Sequence, residues 1–248
     1  MITLKSPGEF ALMRRAGRVV AEVLESVRKA ALPGVALIEL DRLAAQIIRD
    51  RECRSSFLNY HGYPAHICLS PNEVIVHGIP DQRILHEGDL LALDAGAIFK
   101  GWHADAAITF GIGEVSEQAL RLMAATEQAL WAAFEKCRPG GRLGDVSHAI
   151  ESIGASAGYG VVHEYTGHGI GRQMHEEPQV NNFGEPGRGL KLKAGMAVCL
   201  EPMFNVGGHQ TRVLSDGWTV VTADGSLSAH FEHTVAVTGG GPEVLTLP

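Results

Sequence analysis

Four carboxylates and two histidine–glycine steps are the residues of this chain best suited by type and spacing to do chemistry. Asp94 closes the apolar run Leu90-Leu91-Ala92-Leu93, and Glu201 closes Val198-Cys199-Leu200 just before Pro202. Asp105 precedes the β-prone run Ala107-Ile108-Thr109, and Glu232 precedes Thr234-Val235-Ala236-Val237-Thr238. Taken singly, Asp94 reads more readily as a turn former or cap. A charge at the end of a buried strand is costly, however, unless a counter-charge or a metal faces it. Four acids converging without cations would repel one another and stay partly protonated; two divalent ions remove that problem. Gly167-His168-Gly169-Ile170-Gly171 offers a nitrogen donor whose flanking glycines let the backbone approach closely. Val76-His77-Gly78-Ile79-Pro80 reads as its counterpart, and His175 lies in Met174-His175-Glu176-Glu177-Pro178. One imidazole with four carboxylates is an oxygen-rich set that suits paired Mn, Fe, Co or Zn ions better than a structural zinc. The chemistry of such a pair is metal-assisted hydrolysis. Lys and Arg are missing from the cores of these motifs, which leaves imidazoles as donors to a developing oxyanion.

An internal repeat supplies the elements that would bring these residues together. Pro33-Gly34 returns 106 residues later as Pro139-Gly140, and at that offset Leu37 meets Leu143, Glu39 meets Asp145, Leu40 meets Val146 and Ile47 meets Ile153. Before each Pro-Gly the apolar residues recur at helical spacing: Met13, Ala16, Val20, Val23, Leu24 and Val27, then Ala119, Leu122, Met123, Leu130 and Phe134. Each Pro-Gly ends a helix, and Glu39 or Asp145 sits early in the next, where a carboxylate suits the helix dipole. The segment from Leu85 to Asp94 echoes that from Leu192 to Glu201 as Leu-x-x-Gly, a short apolar strand and an acid. The chain reads as one catalytic domain, 1–248, built of halves at about 1–113 and 114–248, each two helices followed by strands. Halves related by a pseudo-twofold axis would set their equivalent carboxylates face to face.

Composition limits the alternatives. With 248 residues, 45% of them hydrophobic and 20% charged, the chain can bury a core without disulfide staples. The four cysteines, Cys53, Cys68, Cys137 and Cys199, form no C-x-x-C pair, which argues against a zinc ribbon or a disulfide framework. Lys and Arg total 21 against 28 Asp and Glu, and no basic block could neutralise a phosphate backbone, so no nucleic-acid partner is expected. No stretch approaches the roughly 18 apolar residues of a membrane span, and the first nine residues lack a signal-peptide core, so a cytoplasmic location and no membrane partner are expected.

At these motifs the sequence resembles the type I methionine aminopeptidases, almost end to end. Asn59-Tyr60-His61-Gly62-Tyr63-Pro64, Asn72-Glu73, His77-Gly78-Ile79-Pro80, Gly167–Gly171, Met174–Pro178, Glu201-Pro202-Met203, Asp216-Gly217-Trp218-Thr219 and Glu232-His233-Thr234 carry the likeness. The resemblance implies a pita-bread fold of the α/β (α+β) class: two pseudo-symmetric halves around a curved antiparallel sheet, with helices on its outer face. It implies two divalent ions (Co, Mn, Fe or Zn), with Asp105 and Glu232 bridging, His168 and Glu201 completing one ion and Asp94 holding the other. Glu201 would also be the general base, His175 would contact the scissile carbonyl oxygen and His77 the scissile amide. Phe57, Tyr60, Tyr63, Cys68, Met174 and Trp218, with His77 and His175, would form the substrate site, packing an unbranched thioether against aromatics. The expected substrates are nascent chains and peptides with N-terminal methionine and a small second residue, and the expected state is a monomer.

Four positions depart from the common bacterial pattern. Gly96 stands where threonine is frequent, and Ala106 where Thr or Ser is common; both would delete hydroxyls able to tune the metal ligands. Phe57 and Met174 replace the usual small residue and Phe of the pocket. An X-Pro aminopeptidase or prolidase on the same fold is the nearest enzymatic alternative, favoured slightly by Asp94-Ala95-Gly96. A non-catalytic binding module should have lost ligands, and here all five remain.

Overall fold

Ser6 starts the first helix. Its hydroxyl accepts from the Glu9 amide, and the Glu9 carboxylate accepts in return from the Ser6 amide. In the computed structural model, which describes residues 2–248, that helix is α1 (Pro7–Ala30), and it buries the apolar stripe from Met13 to Val27. Pro33-Gly34 separates it from α2 (Leu37–Asp50), and β1 (Arg54–Ser55), β2 (Ile67–Pro71) and β3 (Val74–Val76) follow. The half ends in a long hairpin, β4 (Leu90–Phe99) and β5 (Trp102–Gly111). The second half opens with α3 (Glu117–Lys136) and, after Pro139-Gly140, α4 (Leu143–Ala157). Asp145 sits in the first turn of that helix as predicted, its carboxylate accepting from the Arg142 amide. Then come β6 (Gly160–Val161), β7 (Gly167–Gly169), β8 (Glu176–Val180), β9 (Ala197–Leu200), β10 (Met203–Asn205) and β11 (Thr211–Val213). The chain ends with β12 (Val220–Thr222), β13 (Ser228–His230), β14 (Glu232–Thr238) and β15 (Gly241–Val244).

Among the described residues, nine strands form one antiparallel sheet in the order β1-β4-β5-β14-β9-β7-β8, with β2 also on β4 and β15 also on β14. Two three-stranded sheets, β13-β10-β6 and β11-β12-β3, flank it, and the first packs Val161, Phe204 and Ala229 into the core beneath α3 and α4. The two helix pairs cover one side of the large sheet. One core gathers α1, α2 and the helix-facing side of β4 and β5, including Leu91, Leu93, Ala95 and Ala106. The other gathers α3, α4, Val198, Leu200, Val235 and Val237.

The same contact recurs in each half. Ala36, just before α2, forms an isolated antiparallel bridge to Ile84; Arg142, just before α4, forms one to Lys191. Each bridge anchors the start of a second helix to the residue before Leu-x-x-Gly. The His77 segment breaks this correspondence. β7 lies on β9 in the large sheet, and the strand in the matching place on β4 is β2, whereas His77 follows β3 in a small sheet. The expectation that His77 mirrors His168 is therefore corrected, although both reach the same cavity.

Candidate metal centre

Strand register brings the acids together. Asp94 on β4 and Glu232 on β14 are both partnered with Ala107 of β5, so all three point to one face. Asp105 is two residues from Ala107 and shares that face. Leu200 pairs with His233 at the end of β9, which sets Glu201 beside Glu232 one step further along the ladder. His168, on β7, has its Nδ1 2.9 Å from the Gly169 carbonyl oxygen. Donation there leaves the Nε2 lone pair directed inward, 3.6 Å from Glu201 Oε1. Gly167 and Gly169 are required by close approach: a Cβ on either would meet a carbonyl oxygen, of Cys199 or Glu177, at 2.3 or 2.2 Å.

These side chains line a cavity of about 470 Å³ that has no Lys or Arg in its wall. Asp105, His168, Cys199 and Glu232 present donor atoms all within 4.8 Å of one another, and so do Glu201, His230 and Glu232. Asp94 belongs to neither group but lines the same cavity. Asp94 Oδ1, Asp105 Oδ1 and Glu232 Oε1 are buried with no hydrogen-bond partner. Burial pushes the Asp94 carboxyl up to about 7. Burial first, and neighbouring carboxylates second, push Asp105, Glu201 and Glu232 well above the ordinary range. Burial lowers His168 to about 3, which keeps its imidazole neutral and able to ligate. Orphaned carboxylate oxygens, a neutral imidazole and no protein cation are what divalent ions would satisfy, so the residues fit such a group.

The remaining sequence-predicted residues form the rest of the wall. His175 lies beside His168, ring centres 4.2 Å apart, and its Nδ1 is 2.7 Å from the Tyr60 hydroxyl. Behind it the N-terminal segment clamps the loop: Lys5 Nζ and Thr3 Oγ1 both donate to Glu176, at 2.8 and 2.7 Å. His77 holds a left-handed backbone (φ 60°), a cost paid at few non-glycine sites, and packs edge-on against Tyr165 and Trp218. Burial lowers it to about 4. Tyr63 packs edge-on against both Trp218 and Phe57, and its hydroxyl donates to the Gly78 carbonyl. Cys68 and Met174 close the apolar end. His61, Tyr165 and His230 also line the cavity and escaped the sequence reading. Only His230 left a signal, its i, i+2 spacing from Glu232 in a β-prone stretch.

Two expectations about the departures change. Ala106 pairs with Ala95 and His233 on the helix-facing side of the sheet, so a hydroxyl there would point away from the carboxylates. Gly96 does stand opposite Asp105, yet a Cβ on it would meet Ser56 Cβ at 2.8 Å and the Phe57 ring at 2.9 Å. The glycine and the bulky Phe57 are thus one coupled departure.

The comparisons with known proteins agree with this geometry. Residues 11–239 match metallopeptidase family M24. A methionine aminopeptidase of Clostridium acetobutylicum is 50% identical, over 100% of this chain and 99% of its own. Methionine aminopeptidase 1 of Mycobacterium tuberculosis is 49% identical, over 100% and 96%. The crystal structure of the methionine aminopeptidase of Thermotoga maritima superposes with a TM-score of 0.98 at 42% identity, covering both chains fully. A prolidase of Pyrococcus furiosus shares the fold at a TM-score of 0.81 and 19% identity, and this chain spans 66% of it. The curved sheet backed by two helix pairs is the pita-bread fold. With the ligand-competent acids, the cavity and full-length likeness all in accord, the chain belongs to the methionine aminopeptidases of metallopeptidase family M24.

Proposed function

We propose that this enzyme removes N-terminal methionine from nascent chains and peptides whose second residue is small, by hydrolysis assisted by two divalent ions. The observation that carries the reading is the pairing of four carboxylates, Asp105 and Glu232 buried and Asp94 and Glu201 half-buried, free of any Lys or Arg, with an aromatic and thioether-lined end of the same cavity. Asp94, Asp105, His168, Glu201 and Glu232 would hold the ions. When bound, the ions supply the positive charge the acids lack, an acidified water and a polarised substrate carbonyl. Glu201 takes the proton from the attacking water and passes it toward the leaving amine. His175 accepts from the Tyr60 hydroxyl at Nδ1, which leaves its Nε2–H to donate to the scissile carbonyl oxygen. His77 meets the scissile amide, held in place by its constrained backbone and by Trp218. Phe57, Tyr60, Tyr63, Cys68, Met174 and Trp218 take the methionine side chain, excluding water from it. We place the enzyme in the cytoplasm as a monomer and as a single domain of two related halves; among the described residues no helix is long and apolar enough to cross a membrane.

The test is methionine release from Met-Ala-Ser by metal-stripped protein, with Mn, Fe, Co and Zn added back separately. Metal-dependent release, with Met-Lys-Ser and Ala-Pro-Ala untouched, is the expected result. No release with any metal overturns the reading, and cleavage of Ala-Pro-Ala would replace it with the prolidase activity.

A further inference from the structure

His230 has no task in the reading above, on which this inference rests. It ends β13, two residues before Glu232, and its backbone is held on two sides. Its amide donates to Thr109 Oγ1 at 2.9 Å, and that hydroxyl donates to its carbonyl at 2.6 Å, while β10 pairs with it through Met203. The imidazole is buried, and Nε2 has no hydrogen-bond partner. Its neighbours are Glu232 Oε2 at 3.8 Å and Glu201 Oε2 at 3.9 Å. Those separations are too long for N–H···O hydrogen bonds, whose range is about 2.7–3.2 Å. They suit two donor atoms that each lie roughly 2.0–2.2 Å from a shared ion, because such atoms stand about 3–4 Å apart. The other Glu201 oxygen is turned to His168, so this carboxylate lies between the two imidazoles.

We propose that His230 Nε2 is a sixth protein ligand of the centre, joining Glu201 and Glu232 on one divalent ion and raising the imidazole count from one to two. A second nitrogen donor makes the set softer, which favours Co, Fe or Zn over Mn. It also takes a coordination position that water or substrate would otherwise hold.

The experiment loads metal-stripped protein with two equivalents of Co(II) and counts imidazoles by X-ray absorption fine structure. Two imidazoles per pair of ions are expected in the wild type, and one in His230→Gln. Calorimetric titration of the same proteins should show Co(II) affinity falling about tenfold or more in His230→Gln, with a smaller loss for Mn(II). One imidazole in the wild type overturns the proposal, and that count needs no variant to fold. Methionine release by a wild type with one imidazole discards the sixth ligand and leaves the hydrolase reading standing. Two imidazoles without methionine release do the reverse.

Discussion

At the scale of single residues, the centre separates groups that hold charge from groups that move protons. Glu201 is asked to do both, since its two oxygens stand 3.6 and 3.9 Å from the imidazole nitrogens of His168 and His230 and it faces the cavity. Glu201→Gln should keep the fold and lose methionine release by roughly 10³-fold, within the range general-base removal produces. Circular dichroism and a turnover assay check this; wild-type turnover would contradict the assignment. His77 and His175 lie outside both groups of clustered donor atoms. His77→Ala and His175→Ala should therefore bind metal as the wild type does while kcat falls by about 10²-fold, the size of a lost transition-state donor. Metal loss in either variant, measured by elemental analysis after dialysis, would instead make that histidine a ligand.

At the scale of elements, the pocket is shaped by how β4 meets the chain after β1. Gly96 leaves the space that Ser56 and the Phe57 ring fill, so the sheet face beside Asp105 is closed by an aromatic ring instead of a side chain from β4 itself. Gly96→Ala should cost about 1–3 kcal/mol of stability, the usual size of overpacking. Adding Phe57→Ala should recover part of that loss, while Ser56 keeps the recovery incomplete. Urea unfolding of the two single variants and the double variant measures the coupling; strictly additive effects would show that the two positions act independently.

At the scale of the molecule, buried titratable groups tie stability to pH and to metal with opposite signs. Burial raises Asp94 to about 7 and pushes Asp105, Glu201 and Glu232 well above their usual range. Without metal, the folded chain then holds protons that the unfolded chain has released, and stability falls as pH rises through that window. Burial lowers His168 and His230 to about 3, and His77, His103 and His233 to about 4. The unfolded chain binds those protons below about 6.5, so this contribution is lost as pH falls from there toward 3–4. Between about pH 6.5 and 8 the carboxylate contribution governs the slope; above about 8.5 the buried thiols of Cys53, Cys68, Cys137 and Cys199, which burial pushes up, add a loss of the same sign. Metal-stripped protein should therefore lose Tm on going from about pH 6.5 to about pH 8, and saturating Co(II) should remove most of that slope. Thermal scans with chelator and with metal decide it; a flat chelated limb would contradict the expectation.

Much of this was legible in one dimension. Helical spacing from Met13 to Val27, Pro-Gly stops and strand-ending acids are local signals, because side-chain periodicity and backbone restriction act within a few residues. The repeated motifs likewise singled out Asp94, Asp105, Glu201 and Glu232 by residue type and place, and the flanking glycines singled out His168. What tertiary structure alone decided is which of these atoms meet. Strand register is set by pairing partners distant in sequence, and a period of two sends Ala106 to the helix side while Asp105 turns to the cavity. The same register places β2, not the His77 segment, opposite β7 in the fold. Gly96 and Phe57 are coupled only across a contact between separate segments, and His230 comes near Glu201 and Glu232 only because β13 ends on β10 where β14 begins beside β9. Composition and local pattern determine which elements form and which residues carry chemistry; distances between donor atoms arise from long-range packing, which the order of residues along a chain does not express.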